Sequence, residues 1–175
     1  MRILAALLFC TSLHAANWIV LRTPGLELYT DAPEKTARSA LDRLANIRRL
    51  LPENEAEPVA LRVLLYGSTS EFRALAPTPK SGGFYQSGPE RDYILMPANA
   101  QLPRNVVHEY VHFAVNTRGT RRPGWIEEGL AEFYSNAQIT GPTARLGAPI
   151  PEHMDLLAHR TWYTPSERSE EHTSE

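Results

Sequence analysis

Apolar and polar residues alternate in the first half of the chain, which is typical of strands. Residues 18–22 and 26–30 alternate on either side of a Pro-Gly turn and predict two short strands. Residues 59–66 are apolar enough for a central strand. Residues 83–86 and 92–96 predict a β-hairpin.

Helical spacing of apolar residues dominates the second half. The predicted helices cover residues 33–51, 70–75, 104–116, 123–136 and 152–159. Asp31 and Ser70 are the predicted N-caps of the first two helices, and residues 141–151 are predicted to be a loop. Because strands come first and helices follow, the order predicts an α+β domain with a mixed sheet rather than a doubly wound fold.

Composition bounds the size and the partners. The chain has 175 residues, of which 42% are hydrophobic, so it suffices for one domain with a core. The net charge is -2 and no long run of one sign occurs mid-chain. Neither nucleic acid nor an anionic membrane is therefore expected as a partner.

The first residues resemble a targeting segment. Arg2 precedes an apolar stretch, residues 3–10, that is too short to span a bilayer, and small residues follow near Ala16. Residues 1–16 are therefore predicted to be a signal peptide; a buried N-terminal strand or helix is the alternative. Cys10 is the only cysteine, but the bulky Phe9 before it does not fit a lipobox. The expected location is the bacterial periplasm or the exterior, without stable membrane insertion after cleavage.

The last eight residues, 168–175, resemble the translation of a sequencing adapter. This interpretation predicts a domain over residues 17–167 that is truncated at its C-terminus. The alternative is an ordinary polar terminus. His172 is left out of the functional argument for either reason.

The sequence His-Glu-Tyr-Val-His at positions 108–112 is the first candidate for chemistry. On a helix, His108 and His112 lie one turn apart on the same face and could bind one metal ion. Glu109 could then reach a metal-bound water. The surrounding residues are apolar, so the helix is predicted to be buried, and buried histidines and glutamate without a partner would be costly.

The next helix offers a third ligand. Glu127 and Glu128 are adjacent, and since a helix turns about 100° per residue, only one of them can face the metal. The apolar face of this helix does not decide between them. Two histidines and one carboxylate with an open position form a catalytic zinc arrangement.

The two segments HEYVH and WIEEGLAEF together resemble gluzincin peptidases. This resemblance implies a zincin-like fold in which an amphipathic helix is followed by an active-site helix and a glutamate helix. It implies Zn²⁺ held by His108, His112 and Glu128, the last being the glutamate of the Glu-Gly pair. It also implies that Glu132 contacts His108 and fixes the tautomer of its imidazole. The alternative is that Glu132 lies on a solvated helix face.

A closer resemblance is to peptidase-MA-like domains of exported bacterial proteins. It is carried by WIVLRTPGLELYTD, VLLYGSTSEF, GFY and DYILM together with HEYVH, over roughly residues 17–165. Such proteins commonly continue with further helices, often helical repeats, which the full-length protein is expected to carry.

The resemblance implies a zinc-dependent peptidase that hydrolyses peptide bonds of a peptide or protein substrate. Glu109 is the predicted general base, and Tyr134, His159 and Tyr163 are candidate donors to the oxyanion. Residues 92–96 are expected to be an edge strand that binds extended substrate. The alternatives are a non-catalytic module that binds a peptide or an envelope partner, and a structural metal or none at the site.

Other residues have simpler interpretations. His153 and His159 are interpreted as surface histidines. The aromatic residues Phe84, Tyr85 and Tyr93 are interpreted as core or hairpin packing, with a substrate pocket as the alternative. The arginines at positions 118, 121 and 122 are assigned either to a solvated loop or to the rim of a cleft that favours acidic groups.

Overall fold

The computed structural model describes residues 17–51, 61–117 and 122–159. In chain order the elements are β1 Ile19–Thr23, β2 Leu26–Thr30, α1 Glu34–Leu50, β3 Leu61–Tyr66, α2 Thr69–Arg73, β4 Phe84–Gln86, β5 Asp92–Pro97, α3 Leu102–Asn116, α4 Gly124–Ser135, β6 Gln138–Thr140, β7 Thr143–Arg145 and α5 Pro151–Ala158. None of these helices has both the length and the apolar character needed to cross a membrane. The predicted signal peptide, Arg118, Arg121, Tyr163 and residues 168–175 lie outside the described residues.

Five strands form one mixed sheet in the order β1-β2-β3-β5-β4. The three central strands run parallel, whereas β1 and β4 pair antiparallel at the two edges. The mixed sheet and the helices confirm the predicted α+β class, and the hairpin of β4 and β5 is confirmed as well. The prediction that residues 92–96 form an edge strand is wrong, because β5 lies between β3 and β4 and leaves β4 at the edge.

The core lies between one face of the sheet and the helices α1 and α3. Alternate residues of the parallel strands point into it and are fully buried, as period-two alternation requires. These strand residues are Leu26, Leu28, Leu61, Val63, Leu65, Ile94 and Met96. Helix α1 contributes an apolar stripe of Ala37, Ala40, Leu44 and Ile47. Since α3 packs against both α1 and the sheet, the core fixes the helix that carries the histidines.

Two predicted helix caps are wrong, because each side chain has a different contact. Asp31 accepts a hydrogen bond from the backbone N–H of Gly67 at 2.6 Å, and the N-cap of α1 is Pro33. Ser68, rather than Ser70, caps α2 by accepting from the backbone N–H three residues on. Asp31 thus joins the end of β2 to the end of β3 instead of starting a helix.

The segment after α4 also differs from its prediction. Strands β6 and β7 form a short antiparallel hairpin, and β7 lies within the predicted loop of residues 141–151. Gly141 has a φ of 57° at the first of the two turn positions, and Pro142 follows it. A positive φ at that position belongs to the hairpin turn that places glycine first.

Candidate metal centre

Helix α3 carries two histidines on a face that the core does not cover. Its other faces are apolar and buried, including Val106, Tyr110 and Phe113, each at most 1% exposed. His108 and His112 lie one helical turn apart on the face that meets α4, where they are partly buried. The apolar sequence of α3 therefore positions both imidazoles.

Three side chains from α3 and α4 converge at this face. The Nε2 atoms of His108 and His112 lie 3.2 Å apart. The Glu128 carboxylate has Oε2 3.4 Å from Nε2 of His108 and Oε1 3.4 Å from Nε2 of His112. Within the described ranges this is the group of His, Cys, Asp or Glu side chains close enough to hold a metal ion.

The spacing of these atoms fits a tetrahedral ion. At ligand distances of about 2.0–2.1 Å, the ligand atoms of a tetrahedral zinc ion lie roughly 3.3 Å apart. The observed separations are 3.2, 3.4 and 3.4 Å. Two imidazole nitrogens and one carboxylate also match the ligand types of a catalytic zinc site, although other first-row divalent ions accept them too. The residues present therefore fit a divalent cation.

The pKa shifts of the two histidines are opposite. Burial lowers the pKa of His108, but the hydrogen bond to Glu128 and the charges of Glu109 and Glu132 raise it more, so the net shift is upward. Burial, with the charge of His108, lowers the pKa of His112 despite Glu128. The hydrogen bond with His108 lowers the pKa of Glu128. Burial therefore outweighs the neighbouring carboxylates at His112 but not at His108.

Glu109 lies beside this group and is almost enclosed, at 9% exposed. Burial raises the pKa of Glu109 to about 7, against the lowering effects of the charge on His108 and the backbone N–H of Tyr85. A Cβ added at Gly83 would lie 3.3 Å from Cγ of Glu109, so the glycine makes room for this side chain. A neighbouring cation would lower this pKa again, and Glu109 would then be ionised near neutral pH.

An open groove of about 410 Å³ runs along these residues. It is lined by Gly83, Phe84, Tyr85, His108, Glu109, His112 and Glu128. The edge strand β4 therefore forms one wall, and α3 and α4 form the other. The Tyr85 hydroxyl donates to Asp92 Oδ2 at 2.7 Å and accepts from Asn116 at 2.7 Å, which ties the wall to β5 and to the end of α3.

Glu132 of α4 lies beside the imidazole of His108. Its Oε1 lies 3.4 Å from Nδ1 of His108, the ring nitrogen opposite the convergent Nε2. Its Oε2 accepts from Arg104 at 2.7 Å. The side chain is half-buried rather than on a solvated helix face.

Of the candidate oxyanion donors, the two that the structure describes, Tyr134 and His159, do not line the groove. Tyr134 is partly buried against the core, and the centroid of its ring lies 5.3 Å from that of Phe133. His159 is exposed at the end of α5, where its Nδ1 lies 2.8 Å from the backbone oxygen of Asp155. Tyr163 lies outside the described residues.

Sequence reasoning missed several neighbours of the site. Packing was the preferred interpretation of Phe84 and Tyr85, but both line the groove, as the alternative of a substrate pocket allows. His153, predicted at the surface, has a side chain that is 39% exposed, and its Nε2 also lies 3.3 Å from Nη2 of Arg104. Position 104 is predicted only as the first residue of the helix over residues 104–116. A hairpin shortly before the histidine helix was the available signal for Tyr85, whereas no local pattern pointed to Arg104.

Comparison of the chain with protein-family models, with curated proteins and with solved structures found no match.

The adjacent glutamates of α4 give a matched pair for testing the site. Only Glu128 reaches both imidazoles. Glu128→Gln should therefore weaken zinc binding by more than the roughly 10–100-fold that is typical when a residue hydrogen-bonded to a metal ligand is replaced. Glu127→Gln, one residue away, should bind zinc as the unchanged chain does. Competition with a chromogenic chelator measures both affinities. A loss with Glu127→Gln but not with Glu128→Gln would mean that the wrong glutamate has been assigned.

Proposed function

We propose that the chain is a zinc-dependent peptidase of the gluzincin type with a zincin-like, peptidase-MA-like domain. The observation that carries this proposal is the convergence of His108, His112 and Glu128 beside the enclosed carboxylate of Glu109 in one groove. The motif resemblance of HEYVH and WIEEGLAEF supports it. The predicted signal peptide supports an exported enzyme.

The ligand atoms support zinc as the metal. His108, His112 and Glu128 would hold it, with an open side toward the groove, which is the arrangement of catalytic rather than structural zinc sites. Zinc bound there would supply a Lewis acid and would lower the pKa of water. Sites for soft metal ions such as Cu(I) use thiolate ligands. The only cysteine of the chain is Cys10 in the predicted signal peptide, so such a site is not expected here.

Glu109 is suited to move the proton in hydrolysis. An ionised carboxylate enclosed beside the ligand atoms can accept a proton from the attacking water and later donate it to the leaving amine. Its enclosed position beside β4 limits access of bulk water to that proton. The same side chain thereby serves first as base and then as acid.

Strand β4 is suited to bind the substrate backbone. It is the edge of the sheet and lines the groove, so an extended peptide could pair with it by strand addition. Residues 92–96 lie inside the sheet, so β4 rather than this segment would bind the substrate. Peptide bonds of an unfolded segment, held along β4, would then lie beside Glu109.

A module that binds peptides without cleaving them is the second candidate. The position of Tyr134 and His159 outside the groove favours it, since hydrolysis ordinarily uses an oxyanion donor besides the metal. The same metal site and the same edge strand would serve such a module. Turnover separates the two candidates.

Metal content and hydrolysis of an unfolded protein test the proposal directly. The purified chain should contain about one zinc ion after gel filtration, and it should cleave β-casein. A chelator should stop the cleavage and added zinc should restore it. A folded chain that takes up no zinc would contradict the metal site, and a zinc-loaded chain that cleaves no peptide would favour the binding module.

A further inference from the structure

The two oxygens of Glu132 have different partners. Oε1 faces Nδ1 of His108 at 3.4 Å, whereas Oε2 accepts from Nη2 of Arg104 at 2.7 Å. A charge-assisted hydrogen bond of this length is among the stronger polar contacts in proteins. The carboxylate is therefore held at one end and directed toward the imidazole at the other.

Arg104 has the position that this arrangement requires. It lies one turn before His108 on α3, while Glu132 lies on α4, so the ion pair crosses between the two helices. Both side chains are about one-third exposed, which weakens screening by solvent compared with a surface pair. The Nε atom of Arg104 is buried without a hydrogen-bond partner among the described residues. The contact of this guanidinium with a carboxylate is made through Nη2, to Glu132.

We propose that Arg104 is a positioning residue for the metal ligand His108. By holding Oε2 of Glu132, Arg104 keeps Oε1 as the acceptor for the Nδ1–H of His108. That tautomer leaves a lone pair on Nε2, which is the atom that faces His112 and Glu128. The inference rests on the proposed zinc function, and it concerns how the chain prepares its ligand before metal arrives.

Two further side chains brace the same ion pair. Ser135 Oγ donates to the backbone oxygen of Glu132 at 2.9 Å and lies 3.5 Å from its Oε2. His153 of α5 lies 3.3 Å from Nη2 of Arg104 and 3.9 Å from Oε2 of Glu132. Helix α5 thereby contacts the ion pair through His153.

Zinc affinity of Arg104→Met is the first test. The loss of the guanidinium should free Glu132 and weaken zinc binding roughly 10–100-fold, the effect typical of removing a group that orients a ligand. Arg104→Lys keeps the charge without the planar fork and should recover part of the affinity. Arg38→Met is the matched control, because Arg38 forms an exposed ion pair with Glu34 on α1. Circular dichroism of each variant checks that the fold is kept.

The tautomer of His108 in the metal-free chain is the second test, and it does not depend on zinc binding. With ¹⁵N-labelled histidine at mildly alkaline pH, His108 should be protonated at Nδ1 in the unchanged chain and should lose this preference in Arg104→Met. Failure of the unchanged chain to bind zinc would count against the proposed function, and the tautomer would still decide the role of Arg104. An unaltered tautomer together with unaltered zinc affinity in a folded Arg104→Met would overturn the positioning role.

Discussion

His112→Ala should abolish stoichiometric zinc binding, because it removes one of three protein ligands. The Nε2 of His112 lies 3.2 Å from that of His108 and 3.4 Å from Glu128, so no other described side chain is placed to replace it. The affinity for zinc should fall far more than the roughly 10–100-fold expected when a residue that hydrogen-bonds to a metal ligand is replaced. Elemental analysis after gel filtration should find about one zinc ion in the unchanged chain and almost none in the variant.

Thermal stability gives an independent view of the same loss. A ligand that binds only the folded state raises the melting temperature as its concentration rises. Added zinc should therefore raise the melting temperature of the unchanged chain and should not change the melting temperature of His112→Ala. His159→Ala is the control, because His159 is exposed and forms its contact within α5. Full zinc retention by His112→Ala, or an equal loss in His159→Ala, would show that the ion binds elsewhere.

The proximity of His108 and His112 was predictable because both residues lie on one helix. Two histidines at a spacing of four must share a helix face, and the apolar residues around them required that helix to be buried. The spacing alone could not decide which of the two glutamates, Glu127 or Glu128, faces the histidines. In the structure Glu128 lies beside both imidazoles. The resemblance had already favoured Glu128 over Glu127, and the ligand role itself stays a prediction.

The remaining contacts were not predictable because they join distant parts of the chain. Residues 92–96 have the hydrophobic pattern of a strand, but alternation does not specify which neighbours pair with it. Asp31 was predicted as a cap on local preference, yet it bonds to Gly67 across two strand ends. Arg104 and Glu132 are separated by 28 residues, and nothing in either local sequence indicates their ion pair.

Glu109→Gln should remove hydrolysis while keeping the metal. The amide is close in size to the carboxylate and can fill the same enclosed space beside Gly83, but it cannot accept a proton. Loss of a general base typically lowers turnover about 10²–10⁴-fold. Because Glu109 is not among the three convergent ligands, zinc content should stay near that of the unchanged chain. Cleavage rates of β-casein, measured beside zinc content, check both expectations.

Turnover decides between the two candidate functions, because only a peptidase needs the proton transfer by Glu109. A peptidase requires its proton transfer, so Glu109→Gln should still bind peptide and fail only in turnover. A binding module requires only the groove, so the same change should leave peptide affinity unaltered with no turnover to lose. Glu71→Gln, an exposed glutamate of α2, controls for the loss of one carboxylate elsewhere. Undiminished cleavage by zinc-loaded Glu109→Gln would exclude Glu109 as the base and would direct attention to another group in the groove.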